Sequence, residues 1–204
     1  WQYDESKNIF PGYLNDLVEI YNITVEETPI SEAEGPGWAR QKANQFYKNE
    51  RFFLQIDAHI RFLQNWDDML IKNHFELKKQ TGKPVISFFP PHFYDDKFAF
   101  VDWPDYVNIP KVLTVSEDNL FEYSDRSEQR TGFKSIPIAV LDPSFIFVEG
   151  LWVEEVLPNP NIYYIGEDVY VSVDAFTKGY NFFSPKRILA WHKLSDPKTF
   201  KHYN

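Results

Sequence analysis

The sequence predicts an α/β sandwich built around a mixed sheet. Two observations carry that prediction. Short apolar runs rich in aromatic and β-branched residues alternate with segments of helical periodicity: strand, helix, strand, helix, then mixed short strands and a last helix. Ionisable residues stand just beyond the apolar runs, at Asp57 and His59, His92, Glu167 and Asp168, and His192. Ligands bind at the carboxyl ends of strands in open α/β sheets, so a sheet edge loaded this way reads as a site.

Taken in order, residues 1–14 are polar and aromatic, with a turn at Pro11-Gly12, and 16–25 predict a short strand. Residues 26–37 form an acidic loop rich in Pro and Gly. Trp38 opens a helix to about Asn49 with Trp38, Ala39, Ala43 and Phe46 on its apolar side. Residues 51–57 are a buried strand, and 65–80 a helix with Asn65 as its cap and Trp66, Met69, Leu70, Phe75 and Leu77 at helical spacing. Residues 85–89 form a second core strand. Pattern is lost between 95 and 110, Val112–Val115 is a short strand, and the charged stretch 116–134 reads as a mobile loop. Strands follow at 136–141, 145–148 and 162–165, with 151–157 ambiguous. A helix over 168–178 turns Val169, Val173 and Phe176 to one side, and short strands at 180–183 and 188–191 close the chain. No repeat or linker divides residues 1–204, which read as one domain.

Bulk properties narrow the function. The chain has 204 residues and a formal net charge of −9, which opposes non-specific binding to nucleic acid. Aromatic residues make up 18% of it, enough to fill a core and leave rings for a groove. There is no cysteine, which excludes thiolate zinc sites and disulfides. No apolar run approaches the roughly 20 residues needed for a membrane-spanning helix.

The chemistry centres on Phe52-Phe53-Leu54-Gln55-Ile56-Asp57-Ala58-His59. In an extended chain, Asp57 and His59 fall on the same side, giving a carboxylate oxygen and an imidazole nitrogen for a divalent metal. An isolated Asp at a strand end is also a common cap or turn former. Glu167 and Asp168 suit the first turn of a helix, and His192 beside Trp191 suits a semi-buried histidine. His92 reads as loop or as lining of the site, Asp67 as a helix brace, and Trp38, Trp66 and Trp103 as core. Trp152 and Tyr180 are candidates for rings that stack on a ligand.

Several blocks, in order, carry a resemblance: Gly35-Pro36-Gly37-Trp38-Ala39-Arg40, Leu54 through Phe62, Trp66-Asp67, Pro90-Pro91, Gly166-Glu167-Asp168, Phe176-Thr177-Lys178-Gly179-Tyr180 and Trp191-His192. Over about residues 1–195 the chain resembles the glycosyltransferase family of the UDP-GlcNAc-dependent enzyme that modifies hydroxyproline on the ubiquitin-ligase subunit Skp1, a family distantly similar to the polypeptide GalNAc-transferases. The resemblance implies a GT-A nucleotide-diphospho-sugar fold and a metal-dependent transfer from a UDP-sugar, GlcNAc by inheritance, with retention at the anomeric carbon. It implies Asp57, His59 and His192 as ligands of Mn²⁺ or Mg²⁺, Arg40 and Asp57 near the nucleotide, and Glu167 and Asp168 near the transferred sugar. The implied partners are a nucleotide sugar and a protein or glycan acceptor, and the implied location is cytoplasmic. The chain departs from the family's pattern at Ala58, where Ser is usual, and at Asp174, where Arg is usual. The family's opening strand and helix, which grip uracil and ribose, would precede Trp1, so the chain is expected to be a fragment of a longer protein.

The residues alone leave two other classes open. One carboxylate and two histidines are also the ligand set of a non-haem Fe(II) oxygenase, although the helices disfavour its strand-rich scaffold. A carbohydrate- or protein-binding module that keeps the fold without turnover is the other.

Overall fold

The computed structural model describes residues 21, 23–57, 60–93, 106–115, 121–131, 134–163 and 166–193. In chain order its strands are β1 (Phe52–Ile56), β2 (Ile60–Phe62), β3 (Pro84–Ser87), β4 (His92–Phe93), β5 (Tyr106–Val115), β6 (Phe121–Thr131), β7 (Phe145–Glu149), β8 (Asn181–Phe183) and β9 (Ala190–Lys193). Its α-helices are α1 (Pro36–Asn44), α2 (Trp66–Lys78), α3 (Trp152–Glu155) and α4 (Glu167–Thr177), with a 3₁₀ turn at Ile30–Glu32.

The main sheet has the order β1-β7-β3-β8, antiparallel except for the β3–β8 pair. A second sheet, β2-β9-β4, is also mixed, and β5 and β6 form an antiparallel ribbon. The mixed α/β architecture is therefore as expected.

Strand periodicity divides the core into two layers. On β7, Phe145 and Phe147 pack with Leu70, Leu77 and Ile86 toward α2. Ile146 and Val148 pack on the other face with Val85, Trp152 and Ala175 of α3 and α4. Both faces of β7 are covered, so its sequence is a continuous apolar run rather than an alternation. On β1, Leu54 joins the α2 side and Phe53 the opposite side. Gln55 and Asp57, in step with Phe53, follow toward α4.

Helix α2 buries Leu70, Asn73, His74 and Leu77, the i, i+3, i+4, i+7 stripe of a core-facing helix. Phe75, expected on that face, is 36% exposed, and two polar residues take its place. Asn73 donates to Ser135 Oγ at 2.9 Å and accepts the Lys186 amide at 3.1 Å, which satisfies it in the interior. The His74 ring meets Phe52 and Phe147 edge-on, with centroids 5.4 and 6.0 Å away. Burial depresses its pKa, opposed by Glu149 at 3.6 Å.

Several expectations are corrected. Ile23, Thr24 and Val25 belong to no strand and are exposed; the rest of 16–25, apart from Tyr21, lies outside the described residues. Helix α1 stops at Asn44 because Gln45, Phe46 and Tyr47 turn to i−3 bonds that tighten the chain. Asn65 precedes α2 in left-handed geometry, with φ 60°, and makes no side-chain cap. Residues 136–141 make only the Pro137–Phe183 bridge, since a proline interrupts the ladder. Ile162 and Tyr163 are not in a strand, and 164–165 lie outside the described residues. Most of the expected loop 116–134 is β6, paired with β5 through two register shifts; its charges alternate in a way that suits a two-stranded ribbon as well as a loop.

The face of α4 is also corrected. Its extent agrees, but Val173 and Phe176 are 57% and 69% exposed, and the helix turns Ser172 and Ala175 inward. Ser172 Oγ donates to the Asp168 carbonyl at 2.6 Å and accepts the Leu141 amide at 2.9 Å, so a hydroxyl takes a core position. Leu70→Ala is expected to cost about 2–5 kcal/mol in urea unfolding. Phe176→Ser is expected to change stability by only about 0.5 kcal/mol. Equal costs would put Phe176 back in the core.

Candidate functional site

The site begins with how α1 is seated. Gly35 has φ 101°, a backbone that favours glycine, and Pro36 takes the first turn of the helix, where its missing N–H costs nothing. At Gly37, a Cβ would run into the carbonyl oxygen of Asn159. The Gly-Pro-Gly sequence thus lets the helix press on segment 159–163, and one turn later Arg40 is carried over the end of β1.

Arg40 joins three other segments around the site. Its Nη1 pairs with Glu167 Oε1 at the start of α4, and its Nη2 lies 3.7 Å from Asp57 Oδ1 beyond β1. Nη2 also donates to the Pro143 carbonyl at 3.2 Å, which accepts Gln55 Nε2 at 2.7 Å as well. The guanidinium fork suits this work, since it presents donors in several directions while remaining charged. Its side chain is 18% exposed, against 14% for Glu167 and 42% for Asp57.

Asp57 continues the β1–β7 ladder by one bond, its amide donating to Ser144 O at 3.2 Å. Its other carboxylate oxygen lies 3.7 Å from His192 Nε2. His192 stands on β9 opposite Ile60 of β2, and its amide donates to Pro91 O at 3.0 Å, so two strands fix its height. His92, next to it in register on β4, has its ring centroid 5.9 Å from that of His192. His59 lies outside the described residues.

The two acidic residues at α4 differ. Glu167 faces Arg40. Asp168 accepts the Val169 amide at 2.9 Å, as a first-turn residue does. Asp174 pairs with Lys178 one helical turn on, at 2.7 Å. Asp67 is exposed in the first turn of α2, consistent with a brace. Trp152 and Tyr180, expected as stacking platforms, are instead core: they are 2% and 3% exposed, pack edge-to-face at 5.0 Å, and Tyr180 donates its hydroxyl to Glu155 at 2.6 Å.

Two residues beneath the site escaped the sequence reading. Gln55 is the polar interruption in an apolar strand, a signal that was visible. Asp142 is buried in the turn before β7, where Asp-Pro reads only as a turn former. Its Oδ1 accepts the Ser144 amide at 2.8 Å, and its own amide donates to Ser87 Oγ at 2.9 Å. Oδ2 has no hydrogen-bond partner among the described residues. Burial pushes this carboxyl up to about 7, with the charges of Asp57 and Asp168 adding to the rise and the Ser144 hydrogen bonds opposing it. A shallow cleft lies between α1 and α4, bordered by Arg40, Gln55, Pro143, Trp152, Glu167 and Tyr170.

The family model for glycosyltransferase (GlcNAc) matches residues 8–204, nearly the whole sequence, and the chain belongs to that family. Its fold is similar to that of GalNAc-T7, a GT-A glycosyltransferase, in the crystal structure with UDP, GalNAc and Mn²⁺. The TM-score is 0.64 at 13% sequence identity, covering 97% of this chain and 37% of that one. The chain therefore spans little more than a third of that protein. No match is found among curated proteins.

The donor chemistry suits a divalent cation at Asp57. Its oxygen and the His192 nitrogen, 3.7 Å apart, could both bond to one ion at about 2.0–2.2 Å. Among the described residues, no group of three or more His, Asp or Glu side chains gathers around such a point. The residues there supply two donors.

Asp142 makes stability depend on pH. Between 3.8, its ordinary value, and about 7, the folded chain holds a proton that the unfolded chain has released. Stability from this group is therefore present at low pH and lost as pH rises through that window. In a chelator, Asp142→Asn is expected to gain on the wild type from pH 4 to 8 by at most about 4 kcal/mol. Parallel pH profiles in thermal unfolding would contradict this.

Proposed function

We propose that this chain is a single catalytic domain that transfers a sugar from a UDP-sugar to a hydroxyl group, with a divalent cation and with retention of anomeric configuration. GlcNAc is the donor sugar favoured by the family, and hydroxyproline of a cytoplasmic protein is the acceptor favoured by the resemblance to the Skp1-modifying enzymes. The observation that carries the reading is Asp57, set between Arg40 and His192 at the exit of β1 in a chain of this family. No helix among the described residues is long and apolar enough to cross a membrane.

Asp57 and His192 would hold Mn²⁺ or Mg²⁺, with His59 as the third protein ligand; imidazole favours Mn²⁺. When bound, the cation supplies Lewis-acid neutralisation of the diphosphate leaving group. Arg40 offers planar donors to phosphate oxygens. Glu167 and Asp168 orient the sugar and stabilise the positive charge that builds on it.

Thermal unfolding with UDP and Mn²⁺ tests this reading. A ligand that binds the folded state raises its stability by linkage, about 2.7 kcal/mol at a hundredfold excess over Kd. The wild type is expected to shift only when both are present, and Asp57→Ala is expected not to shift. A shift with free sugar that ignores both UDP and Mn²⁺ would instead indicate a binding module without turnover.

A further inference from the structure

The reading above rests on a cation at Asp57, yet one cationic group already faces that carboxylate. Arg40 Nη2 lies 3.7 Å from Asp57 Oδ1, while Nη1 of the same guanidinium pairs with Glu167. It reaches both while also donating to Pro143 O, so it is held on three sides. A divalent ion shared by Asp57 and His192 would stand close to that guanidinium and compete with it for the carboxylate charge.

We propose, resting on that reading, that Arg40 is a latch between the two acidic ends of the site and opposes metal binding until an anion draws it away. A diphosphate would do so, since its oxygens offer a guanidinium the same forked acceptors as a carboxylate and carry more charge. Glu167, released from Arg40, would then face the sugar. Metal and anion become coupled through one side chain, and by reciprocity each strengthens the other. Arg40 is a positioning residue in this scheme: it sets which partner Asp57 and Glu167 have.

The test uses Mn²⁺ alone, titrated calorimetrically and by loss of the free-ion EPR signal, on wild type, Arg40→Gln, Arg40→Lys and Asp57→Ala. Arg40→Gln removes the competing charge and is expected to bind Mn²⁺ about two- to fivefold more tightly, the range of a partly exposed ion pair. Arg40→Lys keeps the charge and is expected to stay near wild type, an outcome that loss of packing alone would not give. A wild type too weak to measure beside an Arg40→Gln that binds also supports the latch. Binding lost in Asp57→Ala but unchanged or weaker in Arg40→Gln would overturn the latch while leaving the metal reading standing. Absence of binding in both wild type and Arg40→Gln would overturn the latch, while the metal reading stands or falls on the shift with UDP and Mn²⁺ together.

Discussion

The guanidinium of Arg40 is the point on which the site depends. Four segments meet there: α1, which carries it; the exit of β1, through Asp57; the turn before β7, through the Pro143 carbonyl; and the start of α4, through Glu167. Each contact is modest alone, since partly exposed ion pairs contribute little. Their joint effect is positional. Asp57, proposed to receive a cation, and Glu167, proposed to face a sugar, come from segments more than a hundred residues apart, and one side chain spans them.

That arrangement is possible because the sheet divides its work by parity. Leu54 and Phe147 face α2 and make core, while Phe53 and Gln55 face α3 and α4, where the cleft opens. Asp57 inherits the second side by counting two residues on. The antiparallel β1–β7 ladder fixes this register, and a slip of one residue would turn the acid toward α2. Buried Asp142 and its Ser87 and Ser144 bonds hold the turn that closes this ladder. A charge burden of −9 makes a local cation at such a site physically reasonable for an anionic ligand.

The sequence made some of this legible and hid the rest, for physical reasons. Strands β1 and β3 and helices α2 and α4 stood out because aromatic runs and helical spacing mark elements of any packed α/β domain. The family resemblance named Arg40, Asp57, Glu167 and His192 together, and the structure links them pairwise, Arg40 to Asp57 and to Glu167, and Asp57 to His192. The inward face of α4 was not legible: Ser172 takes a core position through two hydrogen bonds that no apolar count reveals, which leaves Val173 and Phe176 outside. Trp152 and Tyr180 were misassigned because a large ring with a polar tip reads the same in a groove or in a core. Asp142 was invisible for the opposite reason, as Asp-Pro announces a turn and says nothing of its burial.

The central claim is that Asp57 and His192 hold a divalent cation against a nucleotide diphosphate. Pulsed EPR on the chain with Mn²⁺ and UDP tests it most directly. The account predicts hyperfine coupling of the manganese to both an imidazole ¹⁴N and to ³¹P, with the nitrogen signal diminished in His192→Ala. Manganese that shows phosphorus coupling but no nitrogen coupling, or a nitrogen signal untouched by His192→Ala, would contradict it.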